Sequence, residues 1–231
     1  VVRVNAQVDS TTFTIAKALD SAVITFTGDT VDITTAFNPN IATGVGADDT
    51  SDAYSVTINT RAFNAAGDTN FLNKGTVTLG NEAADVLTFT GGLATTGNTS
   101  NPATVNAAGT INTTDTRMDI GAVTLTAATT FDTGNAAAGI LNIGAVTSQT
   151  NALTLDSGST ALATMGLTSM VDASGGLTIR DSGGLATIGD IGSGTAGAVT
   201  ITDSTGGVTF NANVDSTTFT IAKALDSAVI T

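Results

Sequence analysis

The side chains in this sequence that could do chemistry are almost all aspartates. The 231 residues include no His and no Cys, which excludes the commonest general base and the Ser–His and Cys–His arrangements of nucleophilic catalysis. A glycan-degrading β-helix would need carboxylates or basic groups converging in a groove. The only adjacent oppositely charged pair in the regular part of the chain is Arg180-Asp181. Such pairs are usually solvated turns, so we predict no catalytic residue and no enzymatic activity.

Two short acidic runs offer the oxygen ligands that calcium prefers. They are Asp48-Asp49-Thr50-Ser51-Asp52 and Asp29-Thr30-Val31-Asp32. Neither matches an EF-hand loop, and the glycine-rich nonapeptide of calcium β-rolls is absent. Because Asp is common in turns through local hydrogen bonds, we predict no bound cofactor or metal, with calcium as the open alternative. Gly pairs at 91–92, 175–176, 183–184 and 206–207 precede no helix pattern and predict turns rather than a phosphate site.

The charge balance restricts the partners and the location of the chain. The net charge is −13 and only seven residues are Lys or Arg, which argues against nucleic acid as a partner. The absence of Cys fits a bacterial surface protein. No apolar run approaches the roughly 18 residues of a membrane helix, and residues 1–20 lack the layout of a signal peptide. We therefore expect any export signal or anchor to lie outside this stretch.

The composition predicts strands rather than helices. Glu82 is the only Glu, whereas Thr occupies 47 positions, so helix formers are scarce and strand and turn formers abundant. The apolar residues are mainly small or branched, with nine Phe, one Tyr and no Trp. Such a supply suits a thin core, as in a solenoid or a sandwich.

A long duplication is the most specific feature of the sequence. Residues 5–25 read NAQVDSTTFTIAKALDSAVIT and recur at residues 211–231, with Gln7 replaced by Asn213 as the only difference. The offset predicts a tandem repeat with a period of 206 residues, of which the chain spans one period and the beginning of the next. A single recent internal duplication is the alternative.

A shorter repeat consists of apolar–Thr–apolar triplets, each of which has the alternation of a strand. The clearest triplets are Leu177-Thr178-Ile179, Val199-Thr200-Ile201, Val208-Thr209-Phe210 and Phe219-Thr220-Ile221. Their spacing predicts an all-β parallel solenoid with rungs of about 20–22 residues, roughly ten rungs per period and a period length of about 48 Å. The apolar residues of each triplet should point inward and the Thr outward. The irregular spacing of Thr-x-Thr triplets, as at 12–14 and 88–90, argues against a flat ice-binding face.

The regularity of these triplets divides the chain into regions. Residues 1–25 end one period, 26–90 are less regular, 91–213 carry solenoid rungs and 214–231 begin the next period. Residues 36–53 contain Pro39, several glycines and Asp, and predict an excursion from the stack. An antiparallel sandwich, repeated as tandem modules, is the alternative fold and suits residues 26–90 best.

Three stretches carry a resemblance to known proteins: residues 121–146 (GAVTLTAATTFDTGNAAAGILNIGAV), 175–194 (GGLTIRDSGGLATIGDIGSG) and 197–214 (GAVTITDSTGGVTFNANV). In style they resemble the β-strand-repeat adhesins of bacteria, of the filamentous-haemagglutinin-like or autotransporter-passenger type. The resemblance covers roughly residues 75–231 and brings no catalytic motif. It implies a secreted or surface-anchored rod used for adhesion, sheath or matrix building.

Three functions compete. A structural or adhesive extracellular fibre built by tandem stacking has neighbouring repeats as its partners, and cell-surface glycans or other cells as possible targets. A surface-layer or receptor-binding module would use the segment at 36–53, and a glycan-degrading β-helix would need two Asp within catalytic reach. We favour the fibre. Neither terminal segment resembles a polar cap, so we expect the 231-residue chain to polymerise or aggregate.

Overall fold

The computed structural model describes residues 1–15, 22–38, 53–97, 100–193, 197–223 and 229–231. Within them the chain forms a parallel β-solenoid of about eight turns. Every strand pairing between the named strands is parallel. The prediction of a parallel solenoid is therefore confirmed, and the sandwich alternative for residues 26–90 is wrong. No helix in the described part is both long and apolar enough to cross a membrane.

The strands are short, as expected for rungs that turn a corner every few residues. In chain order they are β1 Val2–Val4, β2 Val8–Thr14, β3 Val23–Phe26, β4 Thr30–Asn38, β5 Ser55–Ile58, β6 Ala62–Ala65, β7 Thr69–Asn70, β8 Thr76–Leu79, β9 Val86–Phe89, β10 Leu93–Ala94, β11 Thr104–Asn112, β12 Met118–Ile120, β13 Val123–Asp132, β14 Leu141–Thr147, β15 Leu153–Asp156, β16 Met165–Val171, β17 Leu177–Asp181, β18 Ala186–Ser193, β19 Gly197–Ile201, β20 Val208–Phe210 and β21 Ser216–Ile221. A 3₁₀ turn spans Ala173–Gly175.

The strands stack into three parallel sheets, which we call faces A, B and C. Face A contains β1, β3, β5, β8, the first halves of β11 and β13, and the ends of β14, β16 and β18. Face B contains the first halves of β2 and β4, then β6, β9, the second halves of β11 and β13, β15, β17, β19 and β21.

Face C contains β7, β10, β12, the beginnings of β14, β16 and β18, and β20. The second halves of β2 and β4 pair with each other and lie at the N-terminal end of this face. We assign them to face C because of their contacts with the next rung. Gly67 stacks on Thr35 and Ala36, and the rings of Phe37 and Phe71 are 6.4 Å apart.

The core is a narrow column of side chains that point inward from all three faces. Ile179 and Ile201 are fully buried, whereas Thr178, Thr200 and Thr209 are only partly buried on the outside. The predicted alternation is therefore confirmed in these rungs. Phe210 is half-buried, and Phe219 and Ile221 are 43% and 48% exposed. Phe219 and Ile221 continue the inward columns of Val199 and Ile201, but among the described residues β21 is the last strand of face B and no further strand covers it.

The rungs are longer than the triplet spacing predicted. Paired residues in neighbouring rungs are between 18 and 32 positions apart, from Val105 with Val123 to Ile24 with Val56. The estimate of ten rungs per period was therefore too high, because most corner segments are longer than those near the C-terminus. The predicted excursion at 36–53 lies mostly outside the described residues. Its first three residues belong to β4, and Tyr54 is buried at the beginning of the next rung.

The two copies of the duplicated sequence form strands at equivalent positions. The first copy contains β2, and the second contains the bridge at Val214 and strand β21. The pairing of Val2 with Ile24 recurs 206 residues later as the pairing of Val208 with Ile230. The segments between these strands, 16–21 and 224–228, lie outside the described residues.

Candidate functional site

A ladder of aspartates runs along the edge of face B. Asp132, Asp156 and Asp181 occupy paired positions in three successive rungs, at the ends of β13, β15 and β17. Arg180 reaches back across two rungs. Its Nε donates to Asp156 Oδ2 at 2.5 Å and its Nη2 to Asp132 Oδ2 at 2.7 Å. Arg180 and Asp181 therefore do not form the predicted solvated turn, because both end a strand and the partners of Arg180 lie in other rungs.

The second oxygen of each carboxylate that binds Arg180 holds a corner of the chain. Asp132 Oδ1 accepts a hydrogen bond from the backbone N–H of Gly134 at 2.9 Å, and Asp156 Oδ1 accepts one from Gly158 at 2.8 Å. Both glycines have positive φ values, 78° and 73°, which only glycine adopts without strain. With both oxygens of Asp132 and of Asp156 engaged, these two carboxylates fasten neighbouring rungs together.

One further aspartate, Asp203, lies close to Asp181 at the C-terminal end of this ladder. Asp203 Oδ2 binds Lys223 Nζ at 2.6 Å, and this hydrogen bond raises the pKa of Lys223. Burial raises the pKa of Asp181, and the nearby charges of Asp156 and Asp203 raise it further. The Oδ1 atoms of Asp181 and Asp203 are buried without a hydrogen-bond partner. Negative charge therefore accumulates at this end of the ladder, and Lys223 offsets part of it.

The carboxylates around Arg180 stabilise its charged form. Desolvation by burial acts against its charged form, but the hydrogen bonds and charges of Asp156 and Asp132 outweigh that effect and raise the pKa of Arg180. Because its two carboxylate partners belong to two other rungs, Arg180 links three successive rungs along the solenoid axis. Its side chain is nevertheless 46% exposed, so we assign it a modest contribution to stability.

A second row of polar side chains lies on the outside of face C. Asp119 binds Arg117 Nε through Oδ2 at 2.5 Å and Asn142 Nδ2 through Oδ1 at 2.8 Å. The hydrogen bond to Asp119 is the main cause of the raised pKa of Arg117. In the rungs before this cluster, Asn70 Nδ2 donates to Asp68 Oδ2 at 3.1 Å. These side chains form a hydrogen-bonding strip that follows the axis.

Two open surface depressions lie along the same face. One, of about 260 Å³, is lined by Asp68, Asn70, Arg117 and Asp119. The other, of about 340 Å³, is lined by Asn142, Gly166, Thr187 and Asn211 among others. Paired rung positions connect them through Asp119 and Asn142. Both are open, and the one at Asp119 is the more polar of the two. Open depressions of this kind suit an elongated ligand better than an enclosed small molecule.

Threonines form a regular column on the outside of face B, although their spacing in the sequence is irregular. Strand pairing places six in successive rungs: Thr110, Thr130, Thr154, Thr178, Thr200 and Thr220. The irregularity arises in corner segments of unequal length, which do not alter the register of the strands. The neighbouring outward column contains Asn112, Asp132 and Asp156. Face B therefore has one hydroxyl column beside an acidic one.

The structure describes one of the two calcium candidates, the run at residues 29–32. The run at Asp48–Asp52 lies outside the described residues. Asp29 is exposed, and Asp32 Oδ1 accepts a hydrogen bond from Asn64 Nδ2 at 2.9 Å. Across the described ranges, no group of three or more His, Cys, Asp or Glu side chains is placed to hold a metal ion.

The sequence reasoning missed the ladder at Asp132 and Asp156. One signal could have found it, because Asp-Thr-Gly at 132–134 and Asp-Ser-Gly at 156–158 recur at the distance of one rung, and Arg180 follows Asp156 by 24 residues. The comparison with known proteins adds nothing to this: the chain matches no protein-family model, no curated protein and no solved structure.

Proposed function

We propose that this chain is one repeat of a structural or adhesive extracellular rod, in which tandem repeats of 206 residues continue a single solenoid. One observation carries the proposal. The strand pairing at Val2 and Ile24 recurs at Val208 and Ile230, so the solenoid itself, as well as the sequence, begins a second period. A sequence duplication without structural continuity would not place these residues in the same register.

The uncovered C-terminal end supports the same proposal. Phe219, Ile221 and Val229 are 43%, 48% and 61% exposed, although Phe219 and Ile221 occupy columns that are buried in the preceding rungs. An end with open strand edges and exposed apolar side chains is normally covered by a cap or by another repeat. The next repeat would bury this end.

The chemistry of the faces favours a structural role over a catalytic one. The carboxylates of Asp132, Asp156 and Asp119 are each held by an arginine and a second donor. In adhesion, the strip on face C would contact glycans or proteins of another cell through hydrogen bonds. The acidic composition would keep such a rod soluble outside the cell. A surface-layer or receptor-binding module remains the competing function.

The test compares the 231-residue chain with a chain to which residues 26–231 are appended once more. At about 4.8 Å per rung and eight to nine rungs per period, the added period should lengthen the rod by about 42 Å without widening it. Negative-stain imaging and small-angle X-ray scattering measure both dimensions. Two separate bodies joined by a linker would contradict the proposal, and a flat lattice would favour the surface-layer function.

Self-association provides a second readout of the same proposal. The 231-residue chain should form end-to-end polymers or aggregates, and Phe219→Asp should reduce them by placing a charge on the exposed end. Thr168→Asp, an exposed position on the side of the rod, controls for the added charge. A chain that stays monomeric at high concentration, with either residue at 219, would count against stacking.

A further inference from the structure

The two copies of the duplicated segment lie on different faces of the solenoid. Val8 pairs with Val31 on face B, whereas its equivalent Val214 bridges to Ile191 on face A. The same change of face affects Val2, which is on face A while its equivalent Val208 is on face C. Identical sequence therefore meets the same neighbours along the chain but on another side of the rod.

The third face follows the same rule. Phe13, in the second half of β2, lies on face C, and its equivalent Phe219 lies on face B. Face A has thus been replaced by face C, face B by face A, and face C by face B. All three substitutions agree with one rotation about the solenoid axis.

The path of the chain gives the size of that rotation. Along the described residues, the chain returns from Val2 to face A eight times, at Ile24, Val56, Val77, Val105, Val123, Val146, Met170 and Ile191. It then crosses face B at Ile201 and reaches face C at Val208. One period therefore comprises eight complete turns and two further faces, so the next repeat begins one face, or one third of a turn, short of a ninth complete turn.

We infer that consecutive repeats stack coaxially with a rotation of one third of a turn, so that the rod has a threefold screw axis. This inference rests on the proposed function, because it describes how a second copy of the repeat seats on the first. At about 4.8 Å per rung, each repeat advances about 42 Å, and three repeats restore the starting face after about 125 Å. A repeat with a whole number of turns would instead give no rotation.

The partner surface is the open C-terminal end, and an aromatic column identifies what covers it. Phe13 packs against Phe26 and Phe37, with ring centroids 5.0 and 6.0 Å away. Its equivalent Phe219 has only Phe210, at 5.5 Å, among the described ring contacts. In the rotated stack, the next repeat's Phe26 and Phe37 cover Phe219. The aromatic column of the first rungs then continues without a break from one repeat to the next.

The rotation has a functional consequence for the strip on face C. In a rod without rotation, the side chains around Asp119 and Asn142 would recur on one side only. With the rotation, the same strip points in three directions in turn. A rod of three or more repeats therefore presents its hydrogen-bonding strip to every side, and it can engage surfaces on several sides at once.

A label on one corner of the repeat tests the rotation. Ala137 is exposed and the chain contains no Cys, so Ala137→Cys in a chain of four tandem periods accepts one gold cluster per repeat. Electron tomography should find successive clusters about 42 Å apart along the axis, each turned by one third of a turn, with the first and fourth on the same side. Clusters in one straight row would overturn the rotation and leave the proposed rod intact. Separate bodies would overturn both.

A crosslink within the 231-residue chain provides a second measurement that needs no fibre. The rotation requires Thr187 and Thr209 to be neighbours on the outside of face C, at a distance that a disulfide can span. The double variant Thr187→Cys, Thr209→Cys should therefore oxidise to an intramolecular disulfide. Thr25→Cys, Thr57→Cys on face A is the positive control, and Thr25→Cys, Thr209→Cys is the negative control. Failure of the 187–209 pair, with the positive control oxidised, would refute the inference.

Discussion

A glycine between the face C and face A parts of β18 gives the sharpest test of how tightly the rungs stack. A Cβ added at Gly189 would lie 1.9 Å from the backbone oxygen of Thr168 in the preceding rung, whereas ordinary contact begins at 3.4 Å. At Gly166, in the preceding rung on face C, the nearest atom to an added Cβ is the side-chain oxygen of Asn142 at 3.2 Å. The same substitution to Ala should therefore be disruptive at position 189 and tolerated at 166.

The expected magnitudes follow from these distances. Gly189→Ala requires the two rungs to separate locally by about 1.5 Å, the difference between the two distances above, which breaks the neighbouring ladder hydrogen bonds. With about 1 kcal/mol for each lost bond and an overpacking cost of 1–3 kcal/mol, we expect a loss of about 3 kcal/mol. Gly166→Ala should change stability by less than about 1 kcal/mol, and in the stabilising direction, because Ala restricts the unfolded chain.

Thermal unfolding followed by circular dichroism measures the difference directly. For a chain of this size about 3 kcal/mol corresponds to a midpoint lowered by roughly 6–12 °C, while the Gly166→Ala midpoint should stay at or slightly above that of the unchanged chain. Urea unfolding provides an independent estimate of the same free energies. Equal midpoints for the two variants would refute the close stacking of β16 and β18 on which the register of face C depends.

Two further predictions concern the core and the acidic ladder. Phe63→Ala removes a buried ring that packs against Phe37 at 5.1 Å and should lower the free energy of unfolding by about 3–5 kcal/mol. Phe219→Ala, at the uncovered end, should lower it by about 1 kcal/mol. Urea unfolding measures both, and equal losses would contradict the assignment of Phe219 to an open end. Asp181→Asn should stabilise the fold at pH 7. The folded state raises the pKa of Asp181, so this carboxyl favours folding below its ordinary pKa of about 4 and opposes folding at higher pH. The gain should disappear in unfolding measurements at pH 3, and a gain that persists there would have another cause.

The fold was predictable because its signal is local. The alternation in a triplet such as Leu177-Thr178-Ile179 indicates which side chains point inward. The recurrence of triplets at nearly constant spacing indicates that equivalent strands stack. The number of rungs was not predictable to the same accuracy. Corner segments of unequal length, such as residues 66–68 and 133–140 between faces B and C, change the number of residues per turn without changing the strands.

The interactions between rungs were harder to predict than the strands. Arg180 stands beside Asp181 in the sequence but binds Asp156 and Asp132, because a strand directs neighbouring side chains to opposite sides while stacking brings side chains of successive rungs together. Of the threonine column on face B, only Thr178, Thr200 and Thr220 were predicted to point outward in stacked rungs. Its members are adjacent only after the register of every rung is known.

The relation between the period and the rung determines what a tandem array of this repeat can do. A repetitive parallel solenoid has two repeat lengths, the number of residues in one rung and the number of residues in one sequence period. Folding does not require the sequence period to contain a whole number of rungs. Here Val2 and Val208 lie on faces A and C, so the two intervals do not match and the mismatch becomes a rotation. A mismatch that fell between faces would place strands opposite corners and break the ladder hydrogen bonds. A mismatch of whole faces preserves every strand pairing, so the array can rotate its surface features around the axis without weakening the stack.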